Sequence, residues 1–403
     1  MGINLFFALI LAGGWLAARL VSRIGMPGIL GMLLFGIAFG AAAGDFIPGL
    51  AWEVEPFLKG MALIIILLRA GLGIKRRTLN RVGRTALLLA VVPCTLEALV
   101  LMPLLQLVFG MDWIVAGLTA WMLAAVSPAV VVPAMLELKA QGLGKRNDIP
   151  TMVLAGASVD DVLAITFFSV FLGLAGGASS AGSSAMTAAN SALLQLAAVP
   201  LSVLGGILIG AAVGLTLAWW FRRHHERIRA TEKAVLLLVA ALLLVELGEV
   251  IAVAALLGVM TVGFVLLEKA EPVAHELAAK LAKLWVPAEL ILFVYIGIQL
   301  NPGAALQTGI AGIGVVAAGL AARSAGVILV TSMDRRLVWR ERWFCAAAYL
   351  PKATVQAALG AVPLAAGIAG GETILSLAVI AILVTAPLGL VLIRWLGPEL
   401  AKI

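Results

Sequence analysis

Asp160 and Asp161 stand side by side in IPTMVLAGASVDDVLAITFFSVFLGLA, an otherwise apolar run long enough to cross a bilayer. Each carboxylate costs about 2.5 to 3.5 kcal/mol at the centre of an inserted helix, so an acidic pair there points to a cation or proton path. Neighbouring side chains on a helix diverge by about 100°, so the two cannot form one symmetric clamp. One can face a cavity while the other turns to a basic partner on an adjacent helix. The chemistry on offer is competition: a proton and a hard cation exclude each other at one carboxylate. Ser127, Ser158, Thr354 and carbonyls freed by breaks in helices are oxygen ligands of the kind an alkali ion takes. The plain alternative is a buried polar network that neutralises both aspartates.

Other charges are isolated in apolar sequence. Glu97, in VVPCTLEALVL, and Arg323, in AAGLAARSAGVIL, are expected to pair and to hold helices together. Removing one side of such a pair costs about 3 to 5 kcal/mol. Lys352 follows Pro351 in YLPKATVQAALG. Its ammonium can neutralise the carbonyl ends of a broken helix, pair with Asp160, or give up its proton when desolvated. Neutralisation of the helix break is favoured, on the charge at helix ends. His224 and His225 sit in the basic loop FRRHHERIRATEK and are expected to be solvated or near lipid headgroups. Arg69 is placed to snorkel and Glu289 to lie at an interface. Nothing in the chain resembles a phosphate-binding glycine loop, a nucleophile elbow or a zinc spacing, so an enzyme is not expected.

The elements that must position these residues are membrane spans. Of 403 residues, 63% are hydrophobic and 12% charged, with a mean hydropathy of +1.13. One polytopic domain of about 13 helices is expected. The spans fall near 4–22, 27–44, 57–72, 82–109, 112–137, 149–175, 189–220, 233–248, 250–268, 284–299, 303–332, 341–367 and 373–396. The first has no basic residue before it, unlike a secretory signal, and is read as a retained span. Cys94 and Cys345 fall inside spans, which favours buried packing over a disulfide. The net charge of +7 does not indicate nucleic acid. All but four of the 28 lysines and arginines lie in alternate connections or at the C-terminus, the exceptions being Lys59, Arg69, Arg323 and Lys352. By the positive-inside rule the N-terminus is outside and the C-terminus cytoplasmic.

Prolines interrupt the fifth span, in AAVSPAVVVPAML (Pro128 and Pro133), and the twelfth, in YLPKATVQAALG (Pro351). Breaks in the membrane persist where the freed backbone lines a cavity or binds something. Their odd offset makes the two spans run in opposite directions, the pattern of inverted repeats around a midplane site. GGASSAGSSAMTAANS, residues 176–191, reads as a flexible outside linker.

Taken in order, MPGILGMLLFGI, LLRAGLGI, AAVSPAVVVPAML, GASVDDVLAI and LPKATVQAALG resemble the monovalent cation:proton antiporter superfamily and, within it, the NHA-type sodium/proton antiporters. The resemblance covers nearly the whole chain. It implies a homodimer of 13-span protomers in lipid, with no cofactor and no soluble or nucleic-acid partner, in the inner membrane of a bacterium. It also implies an elevator-like core, residues 82–175 and 303–396, and a dimerisation scaffold, residues 4–72 and 189–299. Carried over, Asp161 is the carboxylate that binds Na+ or Li+ and the proton, Asp160 its accessory and Ser127 a ligand beside the break. Lys352 belongs to the second broken helix, and Glu97 with Arg323 matches the buried pair of electroneutral members. The chain combines two branches: its Asp-Asp pair looks like electrogenic relatives, which carry lysine where Arg323 stands and exchange two protons per sodium.

An arginine stays protonated and cannot release a proton in a transport cycle, so one-for-one exchange is expected here. A sodium-coupled organic-anion symporter of the same fold is the alternative, and a cation channel a more distant one.

Overall fold

The computed structural model describes residues 1–73, 76–180, 185–224, 227–251 and 253–402. Lys75, His225 and the side chain of Ser158 lie outside the described residues. The chain is all helical where described. In order come α1 (Ile3–Arg23), α2 (Gly28–Ala43), α3 (Gly49–Gly73), α4 (Arg76–Phe109), α5 (Trp113–Ala124), α6 (Pro128–Ala140), α7 (Ile149–Ser180) and α8 (Ala185–Arg223). Then follow α9 (Ala230–Ile251), α10 (Ala255–Lys269), α11 (Glu271–Gln299), α12 (Pro302–Met333), α13 (Trp339–Ala348), α14 (Thr354–Leu359), α15 (Val362–Ala365) and α16 (Gly371–Leu396). Among the described residues, 10 helical stretches are long and apolar enough to cross a membrane. The other three expected spans fall on α9, on the 15-residue α10 and on the interrupted α13 and α14.

Three expectations need correction. The break in the fifth span spans residues 125–127 only: Pro128 opens α6 and Pro133 lies within it. Proline is tolerated at the first helical position because that N–H has no intrahelical partner. The expected linker over 176–191 is largely helical, with α7 reaching Ser180 and α8 starting at Ala185. The third span begins earlier than expected, at Gly49, with Pro56 inside it. That extension places Glu55 one turn from Lys59, and the two form an ion pair while Lys59 Nζ donates to Gln299 Oε1 at 2.5 Å.

The chain divides into two compact units. One comprises Gly60–Asn80 and Ser169–Ala288. Within it Arg69 lies over the Trp285 ring at 5.7 Å, and Lys233 pairs with Glu276 at 3.2 Å. The other unit comprises Met1–Lys59, Arg81–Phe168 and Glu289–Ile403, and it holds both broken spans. Lipid offers no hydrophobic contrast to drive helices together, so close backbone approach between small residues carries much of the packing. A methyl group added at Gly36 would lie 2.2 Å from the Val294 carbonyl oxygen, and one at Gly297 would lie 2.5 Å from that of Leu33. Beside this crossing, Phe6, Phe39 and Tyr295 pack as an aromatic cluster, and the Tyr295 hydroxyl donates to the Ala51 carbonyl at 2.9 Å.

Because backbone rather than a flexible side chain faces Gly36, Gly36→Ala is expected to destabilise this unit by about 1 to 3 kcal/mol. The measurement is the melting temperature of the detergent-purified protein. A melting temperature equal to that of the unsubstituted chain would contradict so close a crossing.

Candidate functional site

The two breaks meet. Ser127 precedes Pro128, and a residue before proline is pushed out of the helical region; its backbone is extended, at φ −91° and ψ 111°. Pro351 sits between α13 and α14 and has no N–H to continue a helix. The Ser127 N–H donates to the Pro351 carbonyl at 2.8 Å, so each break supplies part of what the other lacks. The Val126 N–H donates to Asp160 Oδ2 at 3.0 Å, and the Lys352 N–H to Thr385 Oγ1 of α16 at 2.7 Å. Gly389 of α16 leaves room for the Pro351 ring, whose Cγ lies 2.3 Å from where a methyl group there would be.

The C-terminal carbonyls of α5 are held by side chains from the far half of the sequence. The Ala124 carbonyl accepts from the Arg323 guanidinium and from Lys352 Nζ, the latter at 3.2 Å. Gln356 Nε2 donates to the carbonyls of Met122 at 2.9 Å and Ala125 at 3.0 Å. Two cations and an amide thus meet the negative end of a half-helix within the apolar interior.

The same cations organise the acids. Arg323 Nε donates to Glu97 Oε2, and its Nη1 donates to Asp160 Oδ1 at 3.1 Å. Lys352 Nζ donates to Glu97 Oε2 at 2.7 Å. Glu97, Asp160, Arg323 and Lys352 are all buried, and with both acids ionised their formal charges cancel. Asp161 stands outside this balance. It is buried, and its Oδ1 has no hydrogen-bond partner among the described residues. Ser127 Oγ, Thr354 Oγ1, Gln356 Oε1 and the Tyr349 hydroxyl are also buried without a partner among the described residues. Lone pairs buried without a donor are costly unless they meet a cation or a proton in turn. The stacked rings of Trp121 in α5 and Phe167 in α7, with centroids 4.2 Å apart, hold the aspartate helix beside the first break. Gly156, one turn before Asp160, lies against the Tyr349 hydroxyl, which is 2.0 Å from where a methyl group there would be.

Arg323 therefore bridges Glu97 and Asp160 rather than serving Glu97 alone, and Lys352 reaches Glu97 and a helix-end carbonyl, not Asp160. Sequence reasoning did not single out Gln356 or Tyr349. The signal for Gln356 was a polar amide in an apolar span; a tyrosine carried none. Outside this cluster, His224 Nδ1 lies 3.1 Å from the Trp220 carbonyl oxygen. Cys94 and Cys345 are buried and free.

Arg323→Ala would strand Glu97 and Asp160 and uncap Ala124, with an expected loss of about 3 to 5 kcal/mol. Thermal melting should fall more than apparent sodium affinity changes. The reverse ranking would move Arg323 into the transport site.

Comparison with known proteins identifies the family. The family described as "Sodium/hydrogen exchanger, transmembrane" matches residues 6–396. Human sodium/hydrogen exchanger 9B2 is 31% identical, over 99% of this chain and 74% of that protein. Sodium/hydrogen exchanger 9B1 of Macaca fascicularis is 30% identical, over 94% of this chain and 73% of its own. The solved structure of the sodium proton antiporter MjNhaP1 from Methanocaldococcus jannaschii superposes with a TM-score of 0.79 over 98% of this chain and 97% of that one, at 23% identity, which speaks for the fold. Broken spans that meet at a buried acidic pair and a match along nearly the whole chain lead to one conclusion: this protein belongs to the sodium/hydrogen exchanger family.

Proposed function

We propose that this protein exchanges cytoplasmic sodium or lithium for external protons, with Asp161 binding cation and proton in alternation. As a family member it is a secondary transporter and not an enzyme, and it needs no cofactor. The observation that carries the site assignment is the charge balance: Glu97 and Asp160 are matched by Arg323 and Lys352, while among the described residues Asp161 has no ion-pair partner. A proton or an alkali cation can supply that charge, but not both at once. Ser127 and Thr354 beside the breaks offer further oxygen ligands.

Asp160 is held by Arg323 and by the Val126 N–H, so it stays ionised through the cycle and exchange is one for one. Lys352 acts as the neutraliser of the helix break, through Glu97 and the Ala124 carbonyl. Alternating access follows the elevator pattern, with residues 82–175 and 303–396 as the moving core and residues 4–72 and 189–299 as the scaffold of a homodimer. The distribution of basic residues supports an N-terminus outside and a C-terminus in the cytoplasm. The relatives compared are from animals and the solved structure from an archaeon, so the bacterial membrane expected above has no support in them; the location is an integral membrane one.

The test uses purified protein in liposomes with a trapped pH dye, challenged with Na+, Li+ and K+ under clamped voltage. Na+ and Li+ should drive proton flux that is insensitive to voltage, and Asp161→Asn should abolish it. Absence of cation-evoked flux, or full flux in Asp161→Asn, would sink the proposal. Voltage-dependent exchange would exclude one-for-one coupling alone.

A further inference from the structure

Gln356 is fully buried on α14, and its amide nitrogen is committed to the end of α5. It donates to the carbonyls of Met122 at 2.9 Å and Ala125 at 3.0 Å, with that of Leu123 at 3.4 Å. The carbonyl between them in sequence, Ala124, is taken by Arg323 and Lys352. The amide cannot flip, because its oxygen would then face three carbonyl oxygens. Its Oε1 is consequently turned away from them, and it is buried without a donor. One side chain thus ties the second broken span to the first and adds an oxygen beside the break.

The other ties across this junction are of a different kind. Arg323 and Lys352 act through charge and answer to Glu97 and Asp160 as well as to Ala124. The Ser127 to Pro351 hydrogen bond joins backbone to backbone. Gln356 is neutral and takes no part in the charge balance, so its hold on α5 persists whether Asp161 carries a proton or a cation. It also keeps the carbonyls of Met122 and Ala125 engaged, and a carbonyl released from it becomes a free oxygen ligand. Selection among alkali ions depends on the size of the cavity and on the number of oxygen ligands around the ion.

We propose that Gln356 is the positioning residue that sets cation preference, by fixing the separation of α5 and α14 around the Asp161 site. The proposal rests on the exchange reaction described above. Loosening this clamp lets the end of α5 and α14 move apart and frees carbonyls, so the smallest ion, Li+, loses most and K+ least.

The test compares Gln356→Met, which keeps the length and removes the hydrogen bonds, with Gln356→Asn, which keeps the amide and shortens the reach. Apparent KM for Li+, Na+ and K+, maximal rate and melting temperature are measured in parallel. In Gln356→Met the KM for Li+ should rise by about tenfold relative to that for K+, with Gln356→Asn between it and the parent. A merely structural role would lower melting temperature and maximal rate while leaving the KM ratios as they were, and that result overturns the proposal. If neither variant folds, Gln356 belongs to folding alone and the proposal also fails. Absence of exchange in the unsubstituted protein would instead overturn the proposed function, so the two failures are distinguishable.

Discussion

Backbone polar groups cannot be left unsatisfied in a membrane, and this fold leaves two helices broken there. The remedy on which the rest depends is mutual: the Ser127 N–H finds the Pro351 carbonyl, each in the non-helical stretch of a different half of the chain. Once the breaks are brought together, the open end of α5 needs donors. Arg323, Lys352 and Gln356 provide them from α12, the second break and α14. Glycines at 36 and 297 serve the same unit by letting backbones touch, where a larger residue would force them apart.

Bringing two cations to a helix end in an apolar interior creates its own problem, which Glu97 and Asp160 solve. The four ionisable groups form one chain of contacts from Lys352 through Glu97 and Arg323 to Asp160. A buried network of this kind is costly if any member is missing and stable only when complete. Among the described residues, neither cation of this network forms an ion pair with Asp161. The asymmetry between two adjacent aspartates is therefore a product of the break chemistry: Asp160 is engaged by Arg323 and by the Val126 N–H, and no such tie to Asp161 Oδ1 is seen among the described residues.

Much of this was legible in the residues. The acidic pair, the isolated Glu97, Arg323 and Lys352, and the prolines of the broken spans all violate the apolar pattern around them, and such violations are visible without coordinates. The location of the breaks was legible only in part. Pro128 and Pro133 look alike in sequence, yet one opens a helix and the other sits inside it, because local stereochemistry permits both. The loop-like composition of 176–191 misled for a related reason: alanine- and serine-rich sequence is polar enough to read as a linker and helical enough to extend α7 and α8.

By itself the sequence determined that the chain is a polytopic helical membrane protein with charges inside its apolar spans, since hydropathy and the cost of buried charge are local properties. Which charge meets which was decided by tertiary structure. Arg323 lies 163 residues from Asp160 and 226 from Glu97, and no spacing rule operates over such separations. The same holds for Gln356 and the carbonyls of α5, 231 residues away at Ala125, which become neighbours only because the two broken helices meet.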